Sequence, residues 1–164
     1  MRLILSPAKL SAPFLAALAM VSASHAQTLI DATDPATIME IARGFGSAVL
    51  ERDEDGDPMI TGRIDGVRYA IVFYGCTEAA NCTAIQFLAA WTNPGNVTLE
   101  AINAWNLNRA FGRGYLDEQN DPILDYVINL DGGVTIRNLD DSFEWWRAIV
   151  AEFAEELDPE PHPE

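Results

Sequence analysis

Two runs of alternating residues on either side of a cysteine pair constrain the fold of this chain more than any other feature. In residues 67–74 and again in residues 83–91, every second side chain is apolar. This period of two is typical of a β-strand with one buried face. The only two cysteines, Cys76 and Cys82, lie between the runs. The pattern predicts a long antiparallel β-hairpin with the cysteines at its turn. The side chains predicted to share one face are Val67, Tyr69, Ile71, Phe73, Ile85, Phe87, Ala89 and Trp91.

The first 26 residues have the composition of a secretory signal peptide. Arg2 and Lys9 give a positively charged start, residues 10–21 are apolar, and Ala26 ends a stretch of small residues suited to cleavage. The apolar run is shorter than the roughly 20 residues that a membrane-spanning helix needs. We therefore predict that the chain is exported, that the mature form begins at Gln27, and that it does not insert into the membrane.

Export places the cysteines in an oxidising compartment, where Cys76 and Cys82 are predicted to form a disulfide. A bond across so short a loop stabilises a local turn more than the whole domain. The alternative, a redox-active pair, is less favoured because the spacing is wider than Cys-x-x-Cys and no basic residue flanks either thiol.

The charge balance limits the partners of the mature chain. The full sequence carries 10 basic and 25 acidic residues, and removal of Arg2 and Lys9 leaves a formal charge of -17. Such a charge repels nucleic acid and anionic lipid surfaces, since both bind through cationic contacts. We expect neither as a partner.

The residues that most enzymes use are scarce. After cleavage the chain retains one histidine, His162, two serines, Ser47 and Ser142, and no lysine. A Ser-His-Asp triad, a histidine-ligated catalytic metal and a lysine Schiff base are therefore not expected. The sequence predicts no enzyme, no catalytic residue, no metal ligand and no cofactor.

The remaining pattern predicts an α+β fold. Asp34 and Pro35 start a first helix whose apolar stripe reaches Val49, although residues 47–51 could already form an extra short strand. Asp140 or Asp141 is predicted to cap the last helix. From Asp158 an acidic, proline-rich tail is expected to be disordered. The predicted order of elements over residues 27–157 is α-β-β-β-α-β-β-α.

Several short motifs follow one another along the chain: residues 62–69 (GRIDGVRY), 73–76 (FYGC), 82–83 (CT), 86–87 (QF), 102–106 (INAWN), 111–117 (FGRGYLD), 121–122 (DP), 130–134 (LDGGV) and 145–146 (WW). Their order and spacing resemble the YbjN family, also called bacterial sensory transduction regulators. The resemblance implies a fold like that of type III secretion chaperones, with helices packed on an antiparallel sheet. It also implies a bacterial origin, so that an exported chain is expected in the periplasm or outside the cell. The implied role is regulation or protein interaction, with an unknown protein partner and a homodimer as the expected assemblies, and the resemblance supplies no catalytic residues.

Four side chains are candidates for partner contact. Asn106, Arg109 and Arg113 are crowded around the end of the second helix, where arginines could bind an anionic group. The alternative is structural, because Asn side chains can hold a helix end and arginines can pair with carboxylates. Trp145 lies off the apolar stripe of the last helix and is predicted to be exposed.

Two acidic clusters leave a second functional interpretation open. One contains Glu51, Asp53, Asp55 and Asp57, but neither frame has both the glycine and the glutamate of an EF-hand. We expect a solvated turn, with an extracytoplasmic cation- or small-ligand-binding domain as the alternative function. The other cluster comprises Asp117, Glu118, Asp121 and Asp125, to which Asp131 could add a carboxylate for acid-base chemistry.

Overall fold

The computed structural model describes residues 28–161. The predicted signal peptide and the last three residues lie outside the described part of the chain. Three helices and nine strands are described. In chain order they are β1 (Leu29–Ile30), α1 (Pro35–Arg43), β2 (Gly46–Arg52), β3 (Pro58–Ile64), β4 (Val67–Tyr74), β5 (Ala84–Thr92), α2 (Leu99–Asn108), β6 (Arg113–Leu116), β7 (Pro122–Asn129), β8 (Val134–Thr135), α3 (Ile136–Leu157) and β9 (Glu160–Pro161).

Six strands form one antiparallel sheet in the order β2-β3-β4-β5-β7-β6. The short strands β1 and β8 pair separately, and β9 pairs with the end of β5. This α+β architecture confirms the predicted fold class. The extra strand that the sequence left open is β2, which occupies one edge of the sheet.

The predicted β4–β5 hairpin is present, and it forms the centre of the sheet. Ile71 lies opposite Phe87, and Phe73 lies opposite Ile85. These four side chains are at most 2% exposed. The hairpin therefore supplies the middle of the hydrophobic core, and its inward face is the one that the alternating sequence pattern identified.

The helices pack on that same face. The ring of Phe143 in α3 meets Phe87 edge-on, with 4.8 Å between centroids. The rings of Trp105 in α2 and Phe153 in α3 lie 5.1 Å apart. Both rings also lie over Gly114, where an added Cβ would approach Phe153 to 2.9 Å. The sheet thus has one face covered by helices and one face without them.

The first helix is shorter than its apolar stripe predicted. Asp34 caps it by accepting a hydrogen bond from the Thr37 N–H at 3.0 Å, and Pro35 occupies its first turn. It ends at Arg43, and the strand β2 begins at Gly46, where a Cβ would lie 2.0 Å from the Arg63 carbonyl oxygen. This close backbone approach fixes the start of the strand. Val49 consequently belongs to β2 and is 58% exposed.

The start of the last helix also differs from the prediction. The helix α3 begins at Ile136, and the Thr135 hydroxyl accepts a hydrogen bond from the Asn138 N–H at 3.1 Å. The predicted caps, Asp140 and Asp141, are exposed residues within its second turn. Thr135 is itself a favourable cap residue, so the helix starts one turn earlier and reaches 22 residues.

The acidic tail is not wholly disordered. Glu160 pairs with Thr92 and Pro161 pairs with Trp91, so the chain after α3 returns to the sheet. The Asn96 side-chain amide donates to the carbonyl oxygens of Leu157 and Asp158 at 3.3 and 3.2 Å. These contacts order residues 158–161, for which the prediction of disorder was wrong.

The predicted Cys76–Cys82 disulfide is present at the turn of the β4–β5 hairpin. Replacing both cysteines with Ser is expected to lower the free energy of unfolding by about 2 kcal/mol, because the open loop gains conformational entropy in the unfolded chain. Denaturant titration of the oxidised protein and the double variant measures this difference. A reducing agent should destabilise only the wild type, and an equal effect on the variant would contradict the prediction.

Candidate interaction surface

The sheet face opposite the helices is the candidate functional surface, and we call it the open face. Its members follow from the strand register and the alternation of side chains along each strand. They are Ser47, Val49, Glu51, Met59, Thr61, Arg63, Arg68, Ala70, Val72, Tyr74, Ala84, Gln86, Leu88, Ala90, Arg113, Tyr115, Ile123, Asp125, Val127 and Asn129. Most members in the central strands β3 to β5 are small or apolar. An antiparallel sheet usually places polar residues on a face that only water covers, so this composition favours contact with a ligand or partner.

A trough of about 630 Å³ crosses four strands of the open face. Thr61 and Ala70, a cross-strand pair, form its floor, while Val49 and Leu88 lie at its sides. The pairing of β4 with β5 ends at Ala70 and Leu88. The start of β4, from Val67, and the end of β5, up to Thr92, extend beyond this pair without pairing with each other. Because the two strands are no longer paired there, the sheet has a depression at this point.

Two arginines lie at one end of the trough. Arg63 and Arg68 are cross-strand partners on β3 and β4, and both are exposed. Arg63 Nη1 donates a hydrogen bond to the Gly66 carbonyl oxygen at 3.2 Å. Asp65, the nearest acidic residue along the chain, is bound by Arg147, whose Nε lies 2.6 Å from Asp65 Oδ2. Of the residues that line the trough, none is acidic.

A chain of hydrogen bonds crosses the other half of the open face. The Tyr74 hydroxyl donates to Gln86 Oε1 at 2.7 Å, and Gln86 Nε2 donates to Asp125 Oδ2 at 2.8 Å. Arg113 then binds both carboxylate oxygens of Asp125. The side chain of Asp125 is only 3% exposed because these partners cover it. The hydrogen bond and the charge of Asp125 raise the pKa of Arg113 above its ordinary value.

Of the four predicted contact residues, Arg113 lies on the open face and Asn106 and Arg109 lie elsewhere. The Asn106 side chain accepts from the Gly114 N–H at 2.9 Å and donates to the Gly114 carbonyl at 3.0 Å, which ties α2 to β6. Arg109 forms ion pairs with Glu152 and Glu156 of α3, at 2.9 and 2.7 Å. Asn106 and Arg109 thus join elements of the fold.

Trp145 occupies a separate surface on the helical side. Its side chain is 45% exposed, and its ring centroid lies 4.7 Å from that of Phe111, which is itself 41% exposed. The two aromatic rings form a small apolar patch. The structure therefore separates Trp145 from Arg113, and the predicted contact residues do not form one site.

The acidic clusters are mostly hairpin turns of one shared geometry. Asp53 Oδ1 accepts the N–H groups of Asp55 and Asp57 at 3.0 and 2.8 Å. Asp117 Oδ1 accepts the N–H groups of Gln119 and Asp121, both at 2.8 Å. Each of these two carboxylates therefore stabilises the turn in which it lies. Within the described part of the chain, no three His, Cys, Asp or Glu side chains are close enough together to hold a metal ion.

Tyr69 lies beneath the trough, and its burial is expected to make the protein less stable at alkaline pH. It is 4% exposed, and its hydroxyl has no hydrogen-bond partner among residues 28–161. Burial raises the pKa of Tyr69 from 10.0 to about 12. In the unfolded chain the hydroxyl ionises near its ordinary pKa, so the free energy of unfolding should decrease as the pH rises from about 10 to about 12.

The variant Tyr69→Phe is expected to lose this part of the alkaline dependence. Near neutral pH it should remain within about 0.5 kcal/mol of the wild type, because the substitution removes an unpaired hydroxyl and keeps the ring. Denaturant titrations at several pH values, together with tyrosinate absorbance, measure both effects. An unchanged alkaline slope in the variant would assign the slope to other groups.

Among residues 28–161, no helix combines the length and hydrophobicity required to cross a membrane. No curated protein matches the sequence significantly. The family model for YbjN, described as "Putative bacterial sensory transduction regulator", matches residues 34–159. Because this match covers nearly all of the described α+β domain, the chain belongs to the YbjN family.

Proposed function

We propose that this protein is an exported regulatory module that binds a protein partner through the open face and catalyses no reaction. The observation that carries the proposal is the difference between the two sheet faces. Helices cover one face, while the other presents an apolar trough without helices over it. Buried apolar area is the main source of protein association, and an apolar sheet face of this kind favours a partner.

The polar groups of the open face support a binding role more than a catalytic one. Asp125 is bound by Arg113 and Gln86, and the carboxylate of Asp117 is bound by backbone N–H groups of its own turn. Asp121 Oδ1 accepts a hydrogen bond from the Asn93 N–H at 2.8 Å. Carboxylates engaged in this way hold the fold and are poorly placed for acid-base chemistry.

A small-ligand-binding function is the second candidate. The volume of the trough, about 630 Å³, falls within the usual range of small-molecule sites. The cation-binding form of this alternative would be tested by calorimetric titration with calcium, since binding to the native state releases or absorbs heat and raises the melting temperature. The homodimer stays a prediction, and sedimentation velocity measures it.

Cross-linking in living cells tests the proposed function. A photoreactive amino acid in place of Leu88, on the open face, is expected to capture a specific partner protein. The same amino acid in place of Leu107, which is 77% exposed on α2, is the matched control. Capture at neither position, or of the same proteins at both positions, would contradict binding through the open face.

Export is tested separately by cell fractionation. The disulfide supports an oxidising compartment. We expect a mature protein that begins at Gln27, in the periplasm or the medium. An intact precursor that stays in the cytoplasm would show that the proposed location is wrong, without deciding what the open face binds.

A further inference from the structure

We propose that residues 158–161 form an exchangeable strand on one edge of β5, and that an extended peptide of the partner protein takes their place there. We call these residues the C-terminal strap; they contain β9. The proposal rests on the proposed function, because this edge borders the open face, and it specifies how the partner binds. The partner adds a strand to the sheet beside the trough.

The pairing of β5 with β7 shows which backbone groups of β5 are left for another strand. Ala84 lies opposite Asn129. The Leu130 N–H donates to the Thr83 carbonyl oxygen at 2.9 Å. In an antiparallel ladder, such a flanking bond marks Ala84 and Asn129 as a pair that exchanges no hydrogen bonds. Because the two kinds of pair alternate, Trp91, an odd number of positions later, directs its backbone groups towards β7.

The strap lies on the other side of β5, which faces β4. Pro161 is opposite Trp91, and Glu160 is opposite Thr92. If the strap lay on the β7 side, Trp91 would have to exchange hydrogen bonds with Pro161, which has no N–H. On the β4 side the exchange falls to Thr92 and Glu160, and both have an N–H. The strap therefore extends the sheet where β4 has separated from β5.

This edge of β5 is suited to an extended peptide. Beyond Leu88 it is no longer paired with β4, and among residues 28–161 the strap pairs there with two residues. The addition of a strand to such an edge is a recurring mode of peptide recognition. Leu88 and Ala90 also line the trough. Because side chains alternate along a strand, every second side chain of an added peptide would face the trough.

The prolines of the strap suit a strand that pairs along one edge. In the sequence, proline recurs at positions 159, 161 and 163. Glu160 directs its N–H towards β5, whereas the missing N–H groups of Pro159 and Pro161 lie on the side away from β5. The strap thus covers β5 without offering donors to a further strand. A ladder of two residues is weak, so a longer peptide with more N–H groups displaces it.

Release of the strap tests this exchange. Glu160→Pro keeps the full chain and removes the N–H that faces Thr92, while Glu160→Gln removes the same charge and keeps the N–H. The probe is a neutral, fluorescein-labelled peptide of about seven residues that alternates threonine and valine, which favour strands. A tethered strand competes at an effective concentration of about millimolar. By fluorescence anisotropy, Glu160→Pro should therefore bind the probe at least tenfold more tightly than the wild type, and Glu160→Gln should match the wild type.

Methylation of the peptide backbone tests strand addition itself. Two further peptides each carry two N-methyl groups. Methyl groups on alternate residues block one edge of the peptide, as the prolines of the strap do, whereas methyl groups on adjacent residues block both edges. The first peptide should bind Glu160→Pro as tightly as the unmethylated probe, and the second at least tenfold more weakly. Amide NMR shifts should locate the probe at Ala90 and Thr92, and melting curves confirm that each variant is folded.

Five results would overturn the proposal. They are equal affinity of the wild type and Glu160→Pro for the probe, no binding to Glu160→Pro, equal binding of the two methylated peptides, amide shifts confined to β2 or β6, and a dimer of Glu160→Pro without peptide. The last would assign the edge to a second copy of the chain. In cells, Glu160→Pro should raise the yield of the Leu88 cross-link. If Leu88 captures a partner equally well in both proteins, the proposed function stands and only the exchange of strands is wrong.

Discussion

Replacing Phe87 with Ala is expected to lower the free energy of unfolding by about 3–5 kcal/mol, the largest effect predicted for this protein. Phe87 is 0% exposed at the centre of the sheet. Its ring centroid lies 4.8 Å from that of Phe143, 5.4 Å from that of Trp146 and 6.1 Å from that of Tyr126. Since the neighbours come from both the sheet and α3, the cavity cannot close without moving the helix.

Denaturant titration measures the effect, with Leu107→Ala as the control. Leu107 is 77% exposed, so its truncation should change stability by no more than about 0.5 kcal/mol. A loss below about 1.5 kcal/mol for Phe87→Ala would mean that the aromatic cluster collapses around the cavity. Such a result would contradict the rigid packing between α3 and the sheet.

The second large effect is expected at the buried carboxylate of the open face. Arg113→Met removes the cation from Asp125, whose side chain is 3% exposed, and should lower the free energy of unfolding by about 2–3 kcal/mol. The double variant Arg113→Met/Asp125→Asn should regain at least about half of this loss. An amide in place of the carboxylate is neutral and still accepts the hydrogen bond from Gln86.

A double-mutant cycle at neutral pH measures this coupling. The exposed ion pair between Arg147 and Asp65, with side chains 48% and 54% exposed, is the matched control. Arg147→Met should cost clearly less than Arg113→Met, because solvent screens the exposed pair. Equal costs for Arg113→Met and Arg147→Met would show that burial of Asp125 adds nothing to the interaction.

The hairpin and the fold class could be predicted because their signals are local. In β4 and β5 the period of two extends over most of each strand, and the chain crosses between them through a short disulfide-closed loop. The start of α3 was predicted one turn too late because both Thr135 and Asp140 are suitable cap residues. The choice between them depends on the packing of Leu139, which is 0% exposed and lies before the predicted start.

The open face was harder to predict because it depends on long-range pairing. The separation of β4 from β5 beyond Ala70 and Leu88 has no signature in either strand alone. The burial of Asp125 likewise depends on Arg113, which lies opposite it on the neighbouring strand β6. One signal was available in the sequence: the turn at Asp65 and Gly66 places Arg63 opposite Arg68.

Strand β5 is held along both edges and at both ends. Strands β4 and β7 pair with its two edges, the Cys76–Cys82 disulfide closes the loop just before it, and β9 pairs with its last two residues. Backbone amides exchange with solvent most slowly where the most contacts must break before they open. The amide hydrogens of β5 should therefore exchange more slowly than those of the edge strands β2 and β6.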